Sequence, residues 1–270
     1  MKTNFEKVRD FNSCFGHVVK QEHYNNVFDN EPKLVELRLN LINEEINELK
    51  EAYENDDIVE IIDALSDILY VGYGLCVCFG INIDKEYSEF IIDYHKISKS
   101  KLNSFLNLNK IDFLNKTNFE KTQSIIEMQT NVKKYKQNIQ NKMYKLNLDM
   151  IISFLNKSFV ELQKSCNSKN FEEVIFNIYN ILKNTYLIGI HIGCNLNESF
   201  RIVHDSNMTK ICNDEELAKK TVQNYINNDT RYDSPSYKKN AFGYVIYNQS
   251  SNKILKSLNY TATNFDSLLN

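Results

Sequence analysis

Tryptophan is absent from the 270-residue chain, proline occurs twice and glycine seven times. So few breakers leave long stretches uninterrupted. The six cysteines, at 14, 76, 78, 166, 194 and 212, form no C-x-x-C pair, which removes the usual zinc and redox spacings. Cys76 and Cys78 fall inside an apolar segment and read as small hydrophobes, reduced as in an intracellular protein. The opening residues lack the apolar core of a secretory signal, and no run of about 18 apolar residues stands out, so the expectation is a cytoplasmic protein with no membrane span. A net charge of −3 gives no basic field for holding nucleic acid. What remains, 42% hydrophobic and 25% charged, is an ordinary globular composition.

The apolar spacing is helical. From Pro32, the residues Leu34, Val35, Leu37, Leu41, Ile42, Ile46, Leu49 and Ala52 recur mainly every three or four positions, with proline at a first-turn position. A second helix is predicted from about Asp57 to Phe79, entered through Asp56-Asp57 and stopped at Gly80. It is apolar almost all round from Ile68 onward, so it must be central.

Sliding the chain against itself reveals an echo. Thr3-Asn-Phe-Glu-Lys7 returns as Thr117-Asn-Phe-Glu-Lys121, and at an offset of 113 Leu41–Leu49 faces Phe154–Leu162 and Phe79–Asn82 faces Ile192–Asn195. The expected fold is all-α: a helical bundle of two tandem degenerate four-helix-type repeats, packed as a pseudo-dimer, with a C-terminal helix and a small β-hairpin. The boundaries are 1–102 and 117–212 for the repeats, 103–116 for a polar linker and 213–270 for the tail. In the tail, Asp214–Asn227 reads as helix with Asn213 as its cap, and Phe242–Asn248 with Lys253–Ser257 as the hairpin.

Glu44, Glu45 and Glu48 lie on the first long helix, and Glu60, Asp63 and Asp67 on the second, at steps that share a helical face. Joined by a short link, the two helices would bring these faces together. Two carboxylates about 5 Å apart repel by roughly 3 kcal/mol at an effective dielectric near 20. Several such pairs rival the stability of a whole domain, about 5–15 kcal/mol. The cluster is therefore dispersed in water, protonated, or holding cations, and an all-oxygen set favours Mg²⁺ or Mn²⁺. A solvated acidic face is the plainer alternative, but Asp63 and Asp67 are embedded among Ile61, Ile62, Leu65 and Ile68. The second repeat acts as an internal control. There Glu44, Glu45, Asp63 and Asp67 become Lys157, Ser158, Phe176 and Asn180, and only Glu161 and Glu173 persist. The helical frame survives in both halves and the acids in one.

Glu45-x-x-Glu48 followed by Glu60-x-x-Asp63, continuing as Asp63-Ala-Leu-Ser-Asp-Ile-Leu-Tyr-Val-Gly-Tyr-Gly74, resembles the all-α NTP pyrophosphohydrolase superfamily, which contains MazG proteins, dimeric dUTPases and phosphoribosyl-ATP pyrophosphohydrolases. The resemblance implies that Glu45, Glu48, Glu60 and Asp63 bind Mg²⁺, with Mn²⁺ as a substitute, and that Glu44 orients or activates water. The substrate would be a nucleoside triphosphate, split to a monophosphate and pyrophosphate. Phe200–Lys210 resembles a downstream segment of such proteins in which Asn and Lys contact nucleotide, here Asn207 and Lys210; Phe90–Ser100 has Ile97 at the matching place. Each repeat would supply half of one site, in a monomeric pseudo-dimer or a homodimer of it. Asp67 and Arg38 are further substrate-binding candidates, Arg38 facing phosphate or pairing with a nearby Glu. Lys253 and Lys256 could close over phosphates as a lid. The pair His204-Asp205 invites a metal-dependent phosphohydrolase reading without its partner ligands, and His17, His23, His95 and His191 read as structural or surface residues. A di-iron oxidase needs E-x-x-H pairs, and none occurs. A non-catalytic nucleotide-binding or partner-binding module is the remaining alternative.

Overall fold

The computed structural model describes residues 2–84, 142–192, 194–251 and 253–269. The expected linker 103–116, the Thr117–Lys121 echo, and the stretch with His95 and Ile97 lie outside the described residues. The elements in chain order are α1 (Asn4–Phe15), α2 (Val27–Asn30), α3 (Pro32–Glu54), α4 (Ile58–Phe79), α5 (Lys142–Asn167), α6 (Phe171–Ile192), α7 (Leu196–Met208), β1 (Ile211–Cys212), α8 (Glu215–Asn228), β2 (Pro235–Asn240), β3 (Gly243–Asn248) and α9 (Asp266–Leu269).

Both long helices of the first half form as their sequence predicts. Pro32 takes the first turn of α3. Asp57 caps α4, its carboxylate accepting from the Val59 and Glu60 amides at 3.1 and 3.2 Å. Gly80 ends α4 in the left-handed region, φ 72°, and its amide donates to the Cys76 carbonyl. A side chain there is impossible, because a Cβ would lie 1.8 Å from the Glu22 carbonyl oxygen. The loop after α1 uses that approach. Lys20 and Tyr24 donate their amides to the Val77 and Phe79 carbonyls, two of the acceptors a helix C-terminus leaves unpaired.

α4 is central, packing against α1, α3, α6 and α7. Ile61, Ile62, Leu65, Ile68 and Leu69 are fully buried, against Ile42, Ile46 and Leu49 of α3 and the apolar face of α6. Each such side chain contributes about 1.5–3 kcal/mol by leaving water. The exclusion of a spanning segment needs correction in one respect. α4 is long and apolar enough to cross a membrane, with mean hydropathy 1.6 over 18 residues, yet 83% of that window is buried inside the protein. An interior helix has no solvent face to make polar, so the two cases share a composition.

α5 and α6 form a second antiparallel hairpin, with α4 against α6 and α3 against α5. α6 begins and ends 113 residues after α4 (58 to 171, 79 to 192). The turns also correspond. Asp56 and Lys169, 113 apart, both have positive φ, 53° and 57°, and the following amides, of Asp57 and Asn170, donate to the Ala52 and Ser165 carbonyls.

The tail departs from expectation. α8 is capped by Asp214, whose carboxylate accepts from the Leu217 amide at 2.7 Å, rather than by Asn213. The sheet has three antiparallel strands in the order β1-β3-β2. The expected strand over Phe242–Asn248 forms as β3, but its hairpin partner is the preceding Pro235–Asn240. Lys253–Ser257 gives only an isolated bridge at Ile254. Asn240 explains the choice, since its side chain accepts from the Phe242 and Gly243 amides and closes a two-residue turn. The sheet docks through Val245 on Cys14 and Phe15 of α1. The segment after it is laced to the end of α7: the Ser257 hydroxyl donates to the Thr209 carbonyl, and the Ser206 hydroxyl to the Thr261 carbonyl.

Candidate active site

Glu60, Asp63, Asp67, Tyr70 and Gly74 follow one stripe of α4, and Arg38, Glu45 and Glu48 one stripe of α3. The antiparallel hairpin sets these stripes in register, and the electrostatics reports the pairing. Burial, then the carboxylates of Asp67, Glu48, Glu44 and Asp63, push the Glu45 carboxyl up to about 9. Burial and Asp63 raise Asp67 to about 7, against the pull of Lys210. Asp63 is raised by burial and by Glu60 and Glu48, and Lys256 opposes that. Among the carboxylates acting on Glu45, Asp67 acts most strongly, and Glu48 acts on both Asp63 and Asp67. Further along, Arg38 faces Gly74, where a Cβ would lie 3.0 Å from its Nη1. Glu44 is exposed at the edge of the acidic face, and Glu48 and Glu60 are exposed beside Asp63.

One Glu45 oxygen, Oε2, is buried without a hydrogen-bond partner. Stranding a buried acceptor costs about 1–3 kcal/mol. Among the described residues, however, no group of three or more His, Cys, Asp and Glu side chains converges tightly enough to hold a metal ion as placed.

The second half supplies the facing wall. Lys210 follows α7 and donates to the Asn207 side-chain oxygen at 2.6 Å. Asn207 also hydrogen-bonds the hydroxyl of Tyr70, which lies 3.1 Å from Nδ1 of His204 and stacks on Phe200. One turn of α4 therefore joins Asp67 to the Asn207–Lys210 pair. Burial lowers the Lys210 ammonium; Asp67 resists, while Lys256 and Lys253 add to the lowering. Lys253 and Lys256 stand on the segment after β3, and the Lys256 backbone is held at both its amide and its carbonyl by the Tyr225 hydroxyl.

Two further residues stand near the candidate site. His17, taken as structural or surface, is held down to about 4 by burial and by the nearby cations of Arg38, Lys238 and Lys210. Lys238 of β2 stands over the end of α1: a Cβ on Gly16 would lie 3.2 Å from its Nζ. The Asn240 amide donates to the Cys14 carbonyl beside it. Neither residue has a local signal, because both arrive through long-range packing of the sheet on α1. His204 bonds Tyr70 inside this network.

In the second hairpin, Ser158 donates to the Phe154 carbonyl and accepts from Asn184, and Lys183 donates to Asn180. Ordinary side-chain hydrogen bonds stand there where the first hairpin has carboxylates.

The phosphoribosyl-ATP pyrophosphohydrolase family matches residues 8–91, which hold α3, α4 and all the acids. This region is identified as a member of the all-α NTP pyrophosphohydrolase superfamily, MazG-like and phosphoribosyl-ATP pyrophosphohydrolase-like. Over its whole length it is similar to an uncharacterized protein of Acanthamoeba polyphaga mimivirus, 32% identical over 271 residues, covering 99% of this chain and 96% of that one. No solved structure matches it.

Proposed function

We propose that the chain hydrolyses a nucleoside triphosphate to a nucleoside monophosphate and pyrophosphate, with Mg²⁺ as cofactor and Mn²⁺ as a substitute, at one site per chain. The observation that carries this reading is a buried Glu45 oxygen left without a partner on the α3–α4 hairpin, where Glu45, Glu48, Asp63 and Asp67 act on one another and Lys210 acts on Asp67. An all-carboxylate donor set with an orphaned oxygen suits a hard divalent cation. Glu45, Glu48, Glu60 and Asp63 would hold it, with Asp67 behind Glu45. Such a cation neutralises phosphate charge and lowers the pKa of bound water. Glu44, exposed at the edge, orients water toward the substrate. Asn207 and Lys210 bind the nucleotide, and Lys253 and Lys256 flank its phosphates from the segment after β3.

The site belongs to a tandem repeat, 1–102 and 117–212, joined by 103–116 and followed by the tail 213–270. The equal 113-residue offset of α4 and α6 and the matching turns at Asp56 and Lys169 support it. In this reading the first repeat gives the acids and the second gives Asn207 and Lys210, in a cytoplasmic monomer or a homodimer of pseudo-dimers, without nucleic-acid or membrane partners.

The test is to incubate the pure protein and Mg²⁺ with each common (d)NTP. Pyrophosphate release that Glu48→Gln abolishes is expected; orthophosphate alone, or turnover that survives Glu48→Gln, overturns the proposal. The spread of the acids favours a second reading, a non-catalytic nucleotide-binding module. It predicts thermal stabilisation by nucleotide without hydrolysis.

A further inference from the structure

We propose that His17, Arg38 and Lys238, with Lys210 between them and the acids, form an anion subsite that seats the pyrophosphate end of the substrate, the half that leaves. The inference deepens the hydrolytic reading and rests on it for the identity of the anion. Three observations lead to it.

The first is Arg38. Its side chain is only 7% exposed, yet Nε has no hydrogen-bond partner. The thiol of Cys78 is its side-chain contact on α4, and a thiol does not neutralise a guanidinium. A buried cation without a counter-charge is costly, and an arginine fork matches a phosphate geometrically. The alternative expectation, that Arg38 pairs with a nearby Glu, is not met among the described residues. Gly74 opposite leaves room where any larger residue would press on the guanidinium.

The second is the company His17 keeps. The charged groups that act on it, Arg38, Lys238 and Lys210, are all cationic and come from three separate parts of the chain. Burial first, and then their repulsion, keeps the imidazole neutral, so one ring nitrogen can donate a hydrogen bond while the charges supply the field. Like charges gathered from α3, β2 and the end of α7 stabilise nothing by themselves; an anion among them reverses the sign.

The third is position. Arg38 lies seven residues before Glu45 on the same face of α3, about 10 Å along the axis. The basic end and the acidic end therefore share one stripe of α3, and Lys210 feels both, since Asp67 and Glu45 act on it and it acts on His17. A polyphosphate lying along this stripe would have its cation-bound part at the acids and its far end among His17, Arg38 and Lys238.

The experiment measures pyrophosphate binding to the full chain by calorimetry in EDTA, without nucleotide or divalent cation, beside orthophosphate. Wild type is expected to bind pyrophosphate more tightly than orthophosphate. Lys238→Met, His17→Gln and Arg38→Lys should each weaken pyrophosphate by about tenfold, whereas Lys219→Met, whose ammonium pairs with Glu215 on α8, should not. Lys238 is exposed, so its variant folds even if the buried Arg38 variant does not. No pyrophosphate binding by wild type, or equal affinity in Lys238→Met and His17→Gln, overturns the inference. Variant-sensitive pyrophosphate binding in a protein that turns over no nucleotide leaves the subsite standing and removes the hydrolytic reading. Turnover with variant-independent pyrophosphate affinity does the reverse.

Discussion

The hydroxyls of Tyr73 and Tyr186 lie 3.3 Å apart, and the two residues are 113 positions apart in the chain. In a two-fold assembly a residue that touches its own equivalent sits on the axis. The same offset separates the bounds of α4 and α6 and the turn residues Asp56 and Lys169. The contact is what the proposed tandem arrangement requires at its centre. Tyr73→Phe is expected to cost about 1 kcal/mol. Tyr186→Phe should cost more, because its hydroxyl also bonds Asn4 and Asn197. A double-mutant cycle by urea denaturation should show the double variant losing less than the two single losses together; strict additivity would count against the contact.

The two halves should respond differently to loss of acid. Glu48→Gln and Asp63→Asn are expected to lower turnover by more than about 100-fold, beyond what outer-shell changes at metal sites cost. Glu161→Gln and Glu173→Gln, at the matching places of the second hairpin, should leave it unchanged. Steady-state pyrophosphate release measures both, and a comparable loss in the second pair would contradict the single-site reading.

Cation binding should expel protons. At pH 7 the Glu45 carboxyl, near 9, retains its proton and Asp67, near 7, is half protonated. A divalent cation held by Glu45 needs that carboxylate ionised, so about one proton should leave per site. Titrating Mg²⁺ calorimetrically in two buffers of different ionisation enthalpy reads that number. It should fall toward zero as the pH approaches 10, and a heat independent of buffer would be the contrary result.

The metal-free protein should lose stability as pH rises. The fold holds a proton on Glu45 that the unfolded chain gives up near 4.5, so between about 4.5 and 9 the native state binds more protons and each upward step favours unfolding. One group can contribute at most about 1.4 kcal/mol per pH unit. His17 acts with opposite sign at lower pH. It is neutral in the fold down to about 4 and charged below 6.5 when unfolded, so acidification through that window also destabilises. Urea midpoints in EDTA across pH 5 to 9 should show the upper slope, and Glu45→Gln should flatten it.

Asn207→Ala leaves Lys210 and Tyr70 without a shared partner. A rise in KM of about tenfold is expected. A loss confined to kcat would instead place Asn207 in the chemical step.

Much of the helical frame was legible because it is written in local chemistry. Pro32, Asp57 and Gly80 announce the ends of α3 and α4, and the spacing of Glu45, Glu48, Asp63 and Asp67 puts them on facing stripes. The sheet was read less well. β3 was visible in its alternation, but its partner was not, since Pro235–Asn240 is polar and the deciding signal is the Asn240 turn. His17 and Lys238 were invisible for a different reason. Lys238 reaches the end of α1 through the sheet whose Val245 packs on Cys14 and Phe15, and no spacing along the chain encodes that docking.

The close approach of the Glu22 carbonyl to Gly80 has a mechanical consequence. The loop that starts at His17 is stitched to the last turn of α4 by the Lys20 and Tyr24 amides. Tilting or sliding that helix would drag the loop bearing the imidazole along with Asp63 and Asp67.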